Sequence, residues 1–142
     1  MNIAVTNVFV IYESALQVFA GNPSQAELEP EYTRFMASLP TTWDEIVPLA
    51  GKVGNFVAVA RRKGHTWYVG ALNDWSPRDL EIDLNFLGAK PYRAEICSDG
   101  INADKAAIDY SLFGRTVNRN DKLRIHLAAG GGYVAKFIPS EQ

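Results

Sequence analysis

The sequence has one cysteine, Cys97, in 142 residues. An internal disulfide is therefore impossible, and a zinc site built from several thiolates is excluded. Histidine is almost as scarce: His65 and His126 are the only two. Charge of one sign is also missing. Fourteen basic and sixteen acidic residues leave a net charge of −2, without the basic stripe that would hold a phosphate backbone. The longest apolar stretch, within residues 3–20, is interrupted by Glu13, Ser14 and Gln17 and has no basic residues before it. It reads as a buried helix, not as a membrane span or an export signal, and the chain is expected to be soluble with its location left open. No repeat and no low-complexity tract is present.

What is there suits a folded domain. Hydrophobic residues make up 47% and charged residues 21%, which argues against disorder. A chain of this length can bury roughly 65–70% of its unfolded surface. The pattern changes near residue 40. Before it, Val8, Ile11, Tyr12, Ala15, Leu16 and Phe19 recur at three- and four-residue spacing and predict one helical face. Ala4, Val10 and Val18 make the other side apolar as well, so the helix expects cover on more than one face. Gly21-Asn22-Pro23 is read as its stop. A second helix is predicted from about Pro30 to Ser38, with Tyr32, Phe35, Met36 and Leu39 inward and Pro40 ending it. The apolar excess leads to the expectation that the chain is the tail of a longer polypeptide, or that it self-associates through the helix.

After residue 40 the period becomes two. Phe56 to Arg61, Trp67 to Leu72, Asp79 to Leu84, Tyr92 to Ile96, Lys122 to Leu127 and Tyr133 to Ile138 each alternate or read as short apolar strands. Arg62-Lys63-Gly64-His65 marks a hairpin tip, and Ser76-Pro77 and Leu87-Gly88 mark breaks. Seven or eight short strands with close turns predict an antiparallel β-sandwich preceded by one or two α-helices.

Five stretches could carry chemistry. PTTWDEI (40–46) sets Trp43 beside Asp44 and Glu45, as a sugar subsite with an acid and a base would. Adjacent strand residues point to opposite faces, so this pair is badly placed, and the start of a strand is the favoured reading. DGINADKAAIDY (99–110) offers Asp99, Asn102, Asp104 and Asp109, but without calcium-loop spacing; an Asx-rich turn is favoured. AAGGGY (128–133) lacks the Lys-Ser or Lys-Thr of a phosphate loop and reads as a flexible turn. His65 and His126 read as surface residues. Trp43, Trp67 and Trp75 are read mainly as packing residues. Trp43 and Trp75 (in NDWSPRD) remain candidates for carbohydrate binding. No catalytic residue, metal ligand or cofactor site is assigned.

Five runs taken in order, VIYESALQVFAGNP, LPTTWDEI, GKVGNFVAVARRKGHTWYVGALNDWSPRDLEIDLNFLG, YRAEICSDGINADKAAIDY and RIHLAAGGGYVAKF, resemble the C-terminal end of glycoside hydrolase family 97. Its members are bacterial α-glucosidases and α-galactosidases, often periplasmic. The resemblance implies a division into residues 1–39, matching the last helical part of a (β/α)8 barrel, and residues 40–142, matching an antiparallel β-sandwich C-terminal domain. It implies that the catalytic and calcium-binding glutamates lie in the preceding catalytic part, so that none falls on a position here and calcium is a cofactor of that part only. The partners it implies are a missing catalytic barrel, or a second copy met through the apolar helix 3–20; no nucleic acid and no membrane is expected. A non-catalytic structural and oligomerisation module is the resulting expectation. The alternatives are a carbohydrate-binding module using exposed tryptophan and an independent hydrolase.

Overall fold

The computed structural model describes residues 3–18, 22–103, 105, 106 and 109–140. Among these residues three helices come first: α1 (Ile3–Ile11), α2 (Pro23–Leu28) and α3 (Pro30–Ala37). Eight strands follow: β1 (Glu45–Lys52), β2 (Phe56–Lys63), β3 (Thr66–Asn73), β4 (Arg78–Asp83), β5 (Tyr92–Asp99), β6 (Tyr110–Val117), β7 (Lys122–Leu127) and β8 (Gly132–Pro139). They form a six-stranded sheet in the order β1-β2-β3-β8-β5-β6 and a two-stranded sheet of β4 and β7. All the pairings are antiparallel. The expected sandwich is thus present, with unequal sheets and a helical layer on the outer face of the larger one.

Alternation explains why the larger sheet is covered twice. Trp67, Val69 and Ala71 of β3 join Ala94, Ile96, Ala135 and Phe137 in the core between the sheets. Ile82, Leu123, Ile125 and Leu127 of the smaller sheet close that core. The intervening positions, Tyr68, Cys97 and Val134, meet Val10, Tyr32, Phe35 and Leu39 of the helical layer. The smaller sheet turns Asp79, Glu81 and Asp83 to solvent opposite His126, Arg124 and Lys122. Acid faces base at the three outward rungs, with His126 Nδ1 2.6 Å from Asp79 and Lys122 Nζ reaching diagonally to Glu81 at 2.6 Å. Such opposed pairs favour this register over a slipped one.

The helical layer corrects two expectations. The predicted helix 3–20 ends at Ile11. To continue, it would need the carbonyls of Phe9 and Ile11 to accept from residues 13 and 15. Instead Gln17 Nε2 donates to Phe9 O at 3.0 Å and Arg61 Nη2 donates to Ile11 O at 2.8 Å. Side chains thus satisfy two of the carbonyls that the end of the helix leaves free. The buried face also differs. Asn7 and Val10 are buried, while Tyr12, Ala15 and Leu16 are exposed and Val8 and Ile11 are half-buried. The reason lies on the sheet: Gly70 of β3 and Gly132 of β8 leave room for close approach. A Cβ on Gly70 would lie 3.0 Å from Val10 Cβ, and one on Gly132 would overlap the Asn7 amide. Phe19, Gly21 and the side chain of Ala4 lie outside the described residues.

Asn22-Pro23 does not act as a stop; it opens α2. Asn22 Oδ1 accepts from Ser24 N at 3.1 Å, and Pro23 occupies the first helical turn, where its missing N–H costs nothing. The second predicted helix, Pro30 to Ser38, matches α3, with Tyr32 and Phe35 buried. No helix among the described residues is long and apolar enough to cross a membrane.

Candidate functional site

PTTWDEI is the start of a strand, and its side chains are already engaged. Asp44 Oδ2 accepts from Gly64 N at 2.7 Å, and its other oxygen lies 3.3 Å from Lys63 Nζ. The Gly64 amide and the lysine hold the Asp44 carboxyl below its usual range. It thereby closes the β2–β3 hairpin, whose tip needs Gly64 at φ 59°. Glu45 pairs separately with Arg62 Nε at 2.9 Å. The two acids face different partners, as strand alternation requires. Trp43 packs edge-on against Tyr68 at 5.2 Å, with the Arg61 guanidinium 5.6 Å from its centroid. Its Nε1 is buried with no hydrogen-bond partner.

Trp75 is the opposite case, with 85% of its surface exposed. A polar frame presents it. Asn73 Nδ2 donates to Ser76 O at 2.7 Å and Ala128 O at 3.1 Å, while its Oδ1 accepts from Arg78 Nε at 2.6 Å. Asp74 accepts from Ser76 N at 2.8 Å, Arg78 Nη2 at 3.1 Å and Asn55 Nδ2 at 3.1 Å. The Ser76 amide is the chief reason that its carboxyl sits below the usual range. One side of the indole rests on Gly130, where a Cβ would come within 3.0 Å of the ring.

The glycine run is therefore a fitted turn. Gly130 has φ 63°, a Cβ on Gly131 would strike Asp99, and Gly132 receives Asn7. Asp99 Oδ2 accepts from Ala128 N at 2.9 Å and Gly132 N at 3.0 Å. Burial raises the Asp99 carboxyl above its usual range, against the pull of those two amides. Asp109 Oδ2 accepts from Asn102 N at 2.7 Å, a bond across seven residues that ties the loop's two ends together. Asp104 lies outside the described residues. Among those described, no cluster of three or more His, Cys, Asp and Glu side chains could hold a metal ion.

The remaining candidates separate. His65 is exposed at the hairpin tip, and His126 is exposed in the charged ladder. Trp67 is buried against Phe86 at 5.0 Å. Alternation sets Arg61 on an outward face, yet it is buried, and sequence reasoning missed it. Its Nη2 caps α1, while Nε and Nη1 have no partner. Only the tertiary approach of α1 buries it. Reasoning also missed β6, whose burial does not alternate cleanly. Two surfaces stand out. Beside α1, Val8, Phe9, Tyr12, Leu16, Val18 and Leu72 line an apolar groove of about 500 Å³. At the far end of the larger sheet, β6 carries Phe113, 48% exposed.

Comparison with known proteins points to one family. The family model described as "Glycosyl-hydrolase 97 C-terminal, oligomerisation" matches residues 42–138. A retaining alpha-galactosidase of Bacteroides thetaiotaomicron is 45% identical over 130 residues, which is 92% of this chain and 20% of that protein. A probable retaining alpha-galactosidase of Streptomyces bingchenggensis is 30% identical over 126 residues, 89% of this chain and 19% of that protein. The structure of a glycoside hydrolase family 97 enzyme from Pseudoalteromonas sp. strain K8, in complex with acarbose, superposes with a TM-score of 0.93 at 33% identity. That match covers 99% of this chain and 23% of the other, so it includes the helical layer. The chain spans about a fifth of the length of the curated relatives it matches. On the family match and the two relatives together, the chain belongs to the C-terminal, oligomerisation family of the glycoside hydrolase 97 enzymes.

Proposed function

We infer that the chain is a non-catalytic, self-associating C-terminal module of a retaining α-glycosidase. The match of residues 42–138 to an oligomerisation family carries the reading. The geometry supports it, because Asp44 and Glu45 are each committed to structural partners. On this reading residues 1–39 are the last part of a catalytic barrel, and the exposed apolar groove beside α1 is where the rest of that barrel rests. The catalytic glutamates and the calcium of the family then belong to that barrel. The test uses the purified, folded chain of 15.7 kDa. Sedimentation should give a mass above the monomer, and nitrophenyl α-glucoside and α-galactoside should remain intact with or without calcium. Turnover that survives rigorous purification refutes the non-catalytic reading.

A second reading rests on Trp75. An exposed indole held on a hydrogen-bonded turn is a platform for a sugar face. Galactose or maltose at millimolar concentration should then quench fluorescence in the parent chain and not in Trp75→Ala. Trp43, packed on Tyr68 and under Arg61, offers less of its ring. A flat titration removes this reading.

A further inference from the structure

We propose that the edge of β6 is the self-association surface, and that it pairs antiparallel with β6 of a second copy across a two-fold axis at Gly114. The proposal rests on the oligomerisation reading above and specifies where the contact lies. The six-stranded sheet ends at β1 and β6. The two ends are built differently. β1 contains Pro48, and its register shifts between Pro48 and Ala50. Proline and bulges are devices that stop an edge from pairing. β6 has neither. Its eight residues run in unbroken register with β5, from Asp99↔Tyr110 to Tyr92↔Val117. Residues 113–116 are exposed in succession, and they include a large apolar side chain, Phe113. A long, flat, partly apolar edge invites another strand.

The side chains specify the second copy as the occupant. A two-fold axis perpendicular to the sheet keeps each residue on its own face, so a residue can oppose only one of its own parity. With the axis at Gly114, Phe113 opposes Arg115 of the second copy, and Arg115 opposes its Phe113. Leu112 opposes Thr116 in the same way. Directly opposed strand residues have Cβ atoms about 4.5–5.5 Å apart, within range of a cation–π contact. The pairing therefore satisfies Phe113 and Arg115 twice per interface, and no ion pair among the described residues competes for Arg115.

The experiment measures association of this chain by sedimentation, together with site-directed cross-linking. Phe113→Lys sets lysine against arginine twice and should weaken association at least about tenfold. Adding Arg115→Glu should restore it, since the introduced lysine would then oppose the introduced glutamate. Circular dichroism checks that both variants fold. Independently, Gly114→Cys should form a disulfide with its own copy on mild oxidation, because directly opposed residues lie within disulfide range. A Cβ at Gly114 has the Ala94 carbonyl oxygen as its nearest neighbour, at 3.4 Å, so the cysteine fits. Ser111→Cys should not link, since about 20 Å separates the two copies of that residue at roughly 3.3 Å per residue. A chain that associates but ignores Phe113→Lys, or links at Ser111 and not at Gly114, overturns the β6 proposal and leaves the oligomerisation reading intact. A parent chain that stays monomeric overturns both.

Discussion

Val10 tests whether the helical layer is part of the cooperative fold. It has no exposed surface, and its Cβ and Cγ1 lie against Gly70. Val10→Ala removes two methyl groups, about 1.6 kcal/mol at about 0.8 each. The cavity left behind raises the loss to about 2.5 kcal/mol. Gly70→Ala acts from the other side. Its new Cβ would meet Val10 at 3.0 Å, an overpacking worth about 1–3 kcal/mol. Combining the two should cost less than their sum, because losing Cγ1 removes one of the two 3.0 Å contacts, while the Cβ that alanine keeps retains the other. Urea unfolding, followed by tryptophan fluorescence and by far-ultraviolet circular dichroism, gives the four midpoints of the cycle. Trp43 reports on the helical layer and Trp67 on the core between the sheets, while dichroism follows the backbone. Two probes with coincident transitions and a coupling of at least about 0.5 kcal/mol are expected. An unchanged midpoint for Val10→Ala, or strict additivity, refutes the close packing of α1 on the glycine-lined face.

Three more outcomes follow from the geometry. Gly130→Ala should destabilise by about 1 kcal/mol, because φ 63° is strained for alanine while the exposed Trp75 ring can swing away; thermal melting measures it, and an unchanged midpoint counts against that turn. The Asp44 carboxyl is held down by the Gly64 amide, so its contribution to stability is present above the unfolded value of 3.8 and is lost as pH falls through the folded one. Asp44→Asn should therefore flatten the acid end of the stability–pH curve, and an unaltered acid limb would contradict this. Burial pushes the Cys97 thiol up to about 12, so a thiol reagent should label it only in denaturant, and rapid labelling of the native chain would show that the outer face is open.

Much of the sandwich was legible because its strands satisfy a local rule. Asp79 to Leu84 and Lys122 to Leu127 alternate strictly, and each was readable alone as a half-buried strand. That they pair with each other, acid against base, was not readable, because nothing local links segments some forty residues apart. The strand β6 was missed for the opposite reason. An uncovered edge has no fully buried face, so its sequence carries no clean period. Helix α1 was overextended because apolar spacing speaks to potential faces and not to which carbonyls are still free. Arg61 is fifty residues away in sequence, yet it satisfies the Ile11 carbonyl at the end of the helix.

The candidate site followed the same division. Adjacent residues on a strand diverge, and that local fact already spoke against Asp44 and Glu45 as a catalytic pair. The partners of those acids, Gly64 and Arg62, emerged only with the hairpin fold. Composition, alternation and turn residues by themselves determined a mainly β, antiparallel sandwich without an internal disulfide, since period, turn chemistry and cysteine number are local or global properties of the chain. Tertiary structure alone decided which tryptophan is packed and which is presented, why three glycines stand in a row, and which sheet edge is left bare. Each of those depends on what a distant segment places against the residue, and that is settled by packing.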